Sequence, residues 1–444
     1  MLLSSLPALL SRWVARLVGL LDRRTAPRVA LLLCGLLLAR GRRTVTSWMR
    51  PAGIAGEFRR AYCAVAACGR RADDLARALL WDAVAPLQPG CGRLTFAIDD
   101  TPTRRYGPQV EGAGIHHNPS KGPAGAPFVY GHVWVTLAWL ARHPLWGSVA
   151  LPLLARLYVR HQDLPPVPPD RRPPFQTKLE LAGELVRWLT QWVRPAGRTV
   201  WLAADGFYAK RPFLKVAAAC GVTVVSRLRK DSALRTLPPP HRPAGKRGPM
   251  PRYGAGRIDL AKRAGQSRGW SRLECEQYGQ RVTKSYKTFL ATWGPAGGTI
   301  RVVLVREDDG WVAFFCTDPS ASVLDILEAA AARGAIEQAF KDAKEVWGAG
   351  QQQLRNLHAN VGAFHLNLWM QTMVESQAWA RPEGELIRRD DAPWDSKPRR
   401  PSHADKRRAI QREIVANEIQ AAVSQAAQAG DFRGLAKRLV KLLG

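Results

Sequence analysis

Apolar residues recur every three or four positions through LPALLSRWVARLVGLL, PRVALLLCGLLLA and FRRAYCAVAACGRRADDLARALLW. That spacing puts one greasy stripe on one face of a helix and predicts a helical region over residues 1–90. From residue 93 the period shortens. RLTFAIDD reads as a short strand ending in two acids, and PFVYGHVWVTLAWL and WGSVALPLLARLYV follow as two extended apolar runs. A Pro-rich loop spans 163–175. After it come an amphipathic helix in TKLELAGELVRWLTQWV, a buried strand in TVWLAAD, a helix in AKRPFLKVAAACG and another strand in VTVVSRL. Residues 230–260 are basic and turn-rich. Residues 270–318 predict several strands, with turns at Gly297–Gly298 and Asp309–Gly310. SVLDILEAAAARGAIEQAFKDAKEVW predicts one long helix and VGAFHLNLWMQTMVESQAW a second. RPEGELIRRDDAPWDSKPRRPSHADKRR is polar and basic and predicts a mobile segment, and Ala409–Leu443 predicts a final helix.

Composition narrows the partner. The 444 residues are 46% hydrophobic, enough for a large core, but 66 Lys and Arg face 36 Asp and Glu, a net charge of +30. Such a field favours a polyanion, nucleic acid foremost. The longest apolar run, Val29–Leu38, is half of the roughly 20 residues that cross a bilayer. MLLSSLPALLSRW lacks a basic start and a small-residue cleavage site, so neither a membrane nor an export role is expected. The seven cysteines, Cys34, Cys63, Cys68, Cys91, Cys220, Cys275 and Cys316, form no CxxC pair; an odd count fits reduced thiols in the cytoplasm.

The order of elements carries the chemistry. Acids close the first strand (Asp99, Asp100) and the fourth (Asp205), and Glu337 lies in the long helix that follows the β-rich stretch. In a mixed sheet with right-handed crossovers the first and fourth strands can be neighbours, which would gather their carboxylates at one end, with a crossing helix supplying the third. Carboxylates massed without a cation repel one another and DNA. Two divalent ions would resolve that repulsion and neutralise the attacking and leaving oxygens of a phosphodiester. At about 100° per residue, Arg333, Glu337, Lys341 and Lys344 fall along one helical stripe.

With these stretches in view, the chain resembles the DDE-type insertion-sequence transposases with a ribonuclease-H-like catalytic core, in the branch marked by a Tyr-x2-Arg-x3-Glu-x6-Lys signature. FAIDDTPT is similar to the family's first-Asp strand, WLAADGFYAKRPFL to its second-Asp stretch, and RGAIEQAFKDAK to Arg-x3-Glu-x6-Lys through Arg333, Glu337 and Lys344. The resemblance spans about residues 90–380. The signature's Tyr position holds Ala330, a departure. The resemblance implies an α/β fold: a ribonuclease-H-like mixed sheet flanked by helices, with an N-terminal helical domain and a β-rich insertion before the last catalytic helix. The implied divisions are 1–90 (DNA ends), 91–234 and 319–380 (core), 235–318 (insertion) and 381–444 (basic linker and helical tail). It implies catalytic Asp99, Asp100, Asp205 and Glu337, with two Mg²⁺ (or Mn²⁺) held by Asp99, Asp205 and Glu337. Because strand side chains alternate faces, only one of Asp99 and Asp100 can bind metal directly, and the spacing to Thr101 favours Asp99. The implied partners are terminal inverted repeats and target DNA, gripped by a homodimer. A nuclease of the same core that does not join strands, and a non-catalytic relic that only binds DNA, are the rivals.

Arg333, Lys344 and Lys341 would hold phosphates near the cleaved bond, and Arg227, Arg229, Lys230 and Arg355 would line a DNA channel; the alternative for each is a solvated surface. Arg42, Arg43, Arg50, Arg59 and Arg60 mark the helical region as a candidate DNA grip, or else it is a cap on the core. His116, His117 and His132 lack metal-ligand spacing and are expected in loop or core, and Trp311 in core packing rather than base stacking.

Overall fold

The computed structural model describes residues 3–90, 92–117, 125–241, 248–277, 279–389, 394–395 and 399–429. The N-terminal stripe folds into five helices: α1 (Ala8–Val18), α2 (Ala26–Leu38), α3 (Val45–Met49), α4 (Phe58–Arg70) and α5 (Ala72–Leu79). They lead into β1 (Arg93–Arg104), β2 (Gly114–His117), β3 (Phe128–His143) and β4 (Gly147–Tyr158). Next come α6 (Lys178–Val193), β5 (Thr199–Ala204), α7 (Arg211–Ala219) and β6 (Val222–Leu228). Short strands β7 (Leu234–Arg235) and β8 (Arg257–Ile258) and helix α8 (Leu260–Gly265) precede β9 (Ser271–Gln277), β10 (Gln280–Trp293), β11 (Gly298–Glu307) and β12 (Gly310–Cys316). The chain closes with α9 (Val323–Ala332), α10 (Gly334–Glu345), α11 (Leu357–Ala378), α12 (Glu383–Leu386) and α13 (His403–Ala429).

The described strands form one mixed sheet in the order β2-β3-β1-β5-β6-β12-β11-β10-β7-β8, with β4 beside β3 and β9 beside β10. β1, β5 and β6 run parallel, joined at β5–α7–β6 by a helical crossover, and β12 pairs antiparallel with β6. The β-rich stretch therefore extends the central sheet rather than standing apart from it. β3 is long enough to hold β2 along Phe128–Gly131 and β4 along Val133–His143 on the same edge.

Alternation along β1 and β5 decides what each face meets. Phe96, Ile98, Leu202 and Ala204 pack in the main core with α6 and α7 residues such as Leu185, Leu189 and Phe213. Ala97 and Ala203 point the other way, where with Ala138 they leave room for Ile336, Ala339 and Phe340 of α10. α6 starts at a capping box: Thr177 Oγ1 accepts from Glu180 N, and Glu180 Oε2 accepts from Thr177 N at 2.7 Å.

The N-terminal helices are built onto this core. Gly69 of α4 and Gly362 of α11 let two backbones touch; a Cβ on Gly69 would lie 2.0 Å from the His358 carbonyl oxygen, and one on Gly362 1.9 Å from that of Val65. From α13, the buried Arg407 donates to the carbonyls of Leu37 (3.0 Å), Ala39 (2.7 Å) and Val346 (2.9 Å), so the end of α2 is capped by a residue nearly four hundred positions later.

Four features differ from the sequence reading. β1 does not stop at its acids: its parallel pairing with β5 ends at Ile98, but its antiparallel pairing with β3 carries on to Arg104. β2 lies between the first two expected strands, in a stretch to which the periodicity assigns no element. The long helix is two helices, because at Arg333 and Gly334 the hydrogen-bond ladder tightens, with Ile336 N donating to Arg333 O at 3.0 Å. Within the segment expected to be mobile lie α12 and the start of α13, while residues 390–393 and 396–398 lie outside the described residues. The final helix is described to Ala429; the remainder of its expected span lies outside them.

Candidate active site

Ile98 of β1 lies opposite Ala204 of β5, so Asp99 and Asp205 are the next residues at the same end of two adjacent strands. Asp205 keeps an extended backbone (φ −69°, ψ 158°). By strand alternation both acids share the face of Ala97 and Ala203, the face covered by α10. Asp100 takes the opposite face. Tyr208 OH donates to its Oδ1 at 3.1 Å and Lys178 Nζ to its Oδ2 at 2.7 Å. Lys178 is the first residue of α6, and Tyr208 sits three residues past Asp205, so Asp100 ties β1 to the turn that carries the second acid.

Arg333, at the α9–α10 junction, completes the cluster. Its Nη2 donates to Asp99 Oδ2 at 2.8 Å, its Nη1 to Glu337 Oε1 at 2.8 Å, and Asp205 Oδ1 lies 3.9 Å from Nη2. One guanidinium thus faces three carboxylates drawn from β1, the end of β5 and α10. Asp99 is the most sheltered, its side chain 15% exposed; Glu337 is 62% exposed. Burial pushes the Asp99 carboxyl up to about 6 against the pull of Arg333, with Asp100 and Asp205 adding repulsion. Burial works against the Arg333 charge too, yet the acids outweigh it and hold its pKa above the ordinary value. Burial, then the neighbouring Asp100 and Asp99, drives the Tyr208 hydroxyl well above the ordinary tyrosine value, so it stays a donor.

The donor set is all carboxylate oxygen, the chemistry Mg²⁺ and Mn²⁺ prefer. Among the described residues no three His, Cys, Asp or Glu side chains close into a metal-binding cluster; the Arg333 guanidinium lies between the three acids as their counter-ion. Its Nε is buried without a hydrogen-bond partner, so Arg333 is not locked by contacts behind its charged end. Acids that already share one cation between them fit a divalent ion once that side chain withdraws.

The remaining expected residues are spread more widely. Lys341 lines an open cavity of about 750 Å³ with Glu337, Gln338 and Arg142. Lys344 lies two turns of α10 past Glu337 and opens into a second cavity of about 1080 Å³, where burial lowers its ammonium pKa. Arg227 is exposed on β6, its backbone beside Gly206 of the Asp205 turn. Arg229 pairs with Asp231 at 2.9 Å, and Lys230 sits 4.9 Å over the Trp311 ring, which is partly buried against the core. Arg355 is exposed and lines a third cavity of about 370 Å³, which shares Tyr106 and Gly350 with the second. His132 is fully buried between Arg105 and the Glu111 carbonyl, and His116 is buried with its pKa pushed down to about 4; both belong to the β2–β3 region, as does the exposed His117. Sequence reasoning missed Lys178 and Tyr208. The Asp-Gly-Phe-Tyr run after a buried strand, and a Lys opening a capped helix, were the available signals.

No helix among the described residues is long and apolar enough to cross a membrane. No curated protein matches the chain. A family model described as DDE superfamily endonuclease matches residues 16–291, a span that contains Asp99, Asp100 and Asp205 and ends before Glu337. With that match over more than half its length, and with a mixed sheet flanked by helices that agrees with the family's ribonuclease-H-like fold, the chain belongs to the DDE superfamily endonucleases.

Proposed function

We propose that this endonuclease is the transposase of an insertion sequence: it nicks DNA at the ends of its element and joins the freed 3′-ends to target DNA. The observation that carries the reading is the convergence of Asp99, Asp205 and Glu337 on one guanidinium at one end of the sheet. Asp99, Asp205 and Glu337 would hold two Mg²⁺ or Mn²⁺, which when bound supply charge neutralisation at the attacking and leaving oxygens. Asp100 holds no ion in this scheme; with Lys178 and Tyr208 it fixes the spacing of the two strand ends. Arg333, freed from the acids, turns to the phosphate beside the cleaved bond, and Lys341, one turn of α10 beyond Glu337, faces the same strand. Arg227, beside the Asp205 turn, adds a phosphate contact. A net charge of +30 draws the duplex in, and the small acidic pocket interrupts that field only where cations enter. Two ends cut together call for a homodimer on DNA.

The test is nicking of supercoiled plasmid in Mg²⁺, followed by joining of pre-cleaved 3′-hydroxyl ends taken from the repeats that flank the reading frame. Asp205→Ala and Glu337→Ala are expected to abolish both activities. Variants that nick as well as the parent would remove the site assignment, and nicking without joining would make the protein a hydrolytic nuclease.

A further inference from the structure

Away from the three acids, β1 and the loop after α10 enclose a groove with an unusual lining. Arg42, Arg104, Lys344 and Tyr106 border the 1080 Å³ cavity, and Tyr106 also borders a neighbouring one of about 370 Å³ that Arg355 flanks. No Asp or Glu lines either cavity. None of the four cations has a carboxylate partner among the described residues, whereas Arg156, Arg171 and Arg333 each hold one. Lys344 is half-buried, so its charge is desolvated without compensation, which is costly unless an anion arrives.

The aromatic ring is held out on purpose-built backbone. Tyr106 is 69% exposed. On one side of it the buried Arg105 donates from Nε to His132 Nδ1 at 3.0 Å, and its backbone N–H continues the ladder to Tyr130 O. On the other side Gly107 turns the chain at φ +91°, and Tyr130 OH donates to its carbonyl at 3.1 Å. The far wall approaches closely at Gly350 (φ +101°), where a Cβ would come within 3.2 Å of Thr103 Cβ. A hydrophobic ring left in water on a turn pinned from both sides, among unpaired cations, is a platform for a flat ligand attached to an anion.

We infer that this groove binds a DNA strand next to the cleavage site, with an unpaired base stacked on Tyr106 and its flanking phosphates on Arg42, Arg104 and Lys344. The inference rests on the proposed function and deepens it. Five residues of strand separate Asp99 from Arg104, about 17 Å, and seven of helix separate Glu337 from Lys344, about 10 Å. At 3.4 Å per nucleotide the groove meets DNA about three to five nucleotides from the cleaved bond. Stacking accepts any base, whereas a paired base cannot reach the ring.

The experiment is fluorescence anisotropy of the full chain with labelled oligo-dT and with a duplex of equal length, in chelator and over a salt series. Tyr106→Ala is expected to weaken oligo-dT binding by about 5- to 150-fold, to leave its salt dependence unchanged, and to affect the duplex far less. Tyr106→Phe keeps the ring and the affinity. Arg104→Gln and Lys344→Gln are each expected to flatten the oligo-dT salt slope by about 0.7. Parental oligo-dT affinity in Tyr106→Ala, or an equal loss on duplex and single strand, overturns the inference. Circular dichroism of each variant guards against misfolding. Plasmid nicking is read in parallel. Nicking that depends on Asp205 with no Tyr106 effect retires the groove alone, whereas a Tyr106 effect without such nicking retires the enzyme reading and leaves the groove.

Discussion

Asp99 should cost the free protein stability, and the cost should vanish in acid. Its carboxyl is raised from 3.8 to about 6 because burial outweighs the pull of Arg333 while Asp100 and Asp205 repel it. A folded value above the unfolded one means that the folded state binds more protons across that interval, so stability falls as pH rises from about 4 to about 6 and the full penalty remains above it. Two pH units correspond to about 3 kcal/mol, and with the side chain only 15% exposed, water screens little of that. Asp99→Asn keeps the shape and removes the charge. Denaturant unfolding of parent and variant in chelator should therefore show the variant more stable by up to about 3 kcal/mol near pH 7.5, with the gap closing near pH 4. Taking the difference cancels groups common to both proteins, such as Glu375, whose carboxyl burial raises but Lys406 and His403 hold at about 2. Arg333→Gln removes the pull and should move the window to higher pH. A difference that is flat with pH, or an Asp99→Asn protein that is less stable throughout, would refute the picture of a sheltered acid held charged by a borrowed guanidinium.

Two further outcomes test the scaffold. Gly69→Ala or Gly362→Ala drives a methyl into a backbone carbonyl of the partner helix and should cost about 3 kcal/mol or more in denaturant unfolding, whereas Gly384→Ala, with open space around it, should change little. Arg407→Met strands the carbonyls of Ala39, just past α2, and of Val346, at the end of α10, and should cost about 1–3 kcal/mol for each carbonyl left without a donor, with amide exchange quickening around Leu36–Ala39; unchanged exchange there would mean that α13 does not hold the N-terminal helices in place.

What the sequence made legible is what local periodicity can carry. Two-residue alternation places Asp99 with Ala97 and Asp205 with Ala203, and the parallel pairing of β1 with β5 follows from crossover rules, so the meeting of the two strand acids was readable. Alternation also separates Asp99 from Asp100, but it does not say which face α10 would cover. That depended on the small side chains Ala97, Ala138 and Ala203 making one face flat enough for a helix. The break at Arg333 was hidden because Ala-rich helix propensity runs unbroken through EAAAARGA, and only Gly334 hinted at it. The joining of β12 to β6 was hidden as well, since strand signals reveal period but not partner.

The helical stripe shows the same limit and what lies beyond it. Offsets of four and seven put Arg333, Glu337 and Lys344 on one line, but a line on a helix meets whatever the fold lays beside it. Near the start of α10 that is the strand ends, and Arg333 and Glu337 enter the acid cluster. Two turns further on it is β1 beyond its acids and the loop around Gly350, and Lys344 faces a groove free of carboxylates. One stripe therefore serves two electrostatic environments: a negative one that collects cations and a positive one that collects phosphates. A DNA strand laid along α10 would pass from the second to the first, its phosphates guided by the cations until the reacting one reaches the acids, where repulsion is tolerable only if divalent ions stand between them. The opposition of charge along that single helix, more than the number of basic residues in the chain, is what would let so positive a protein hold DNA in one register over its acids.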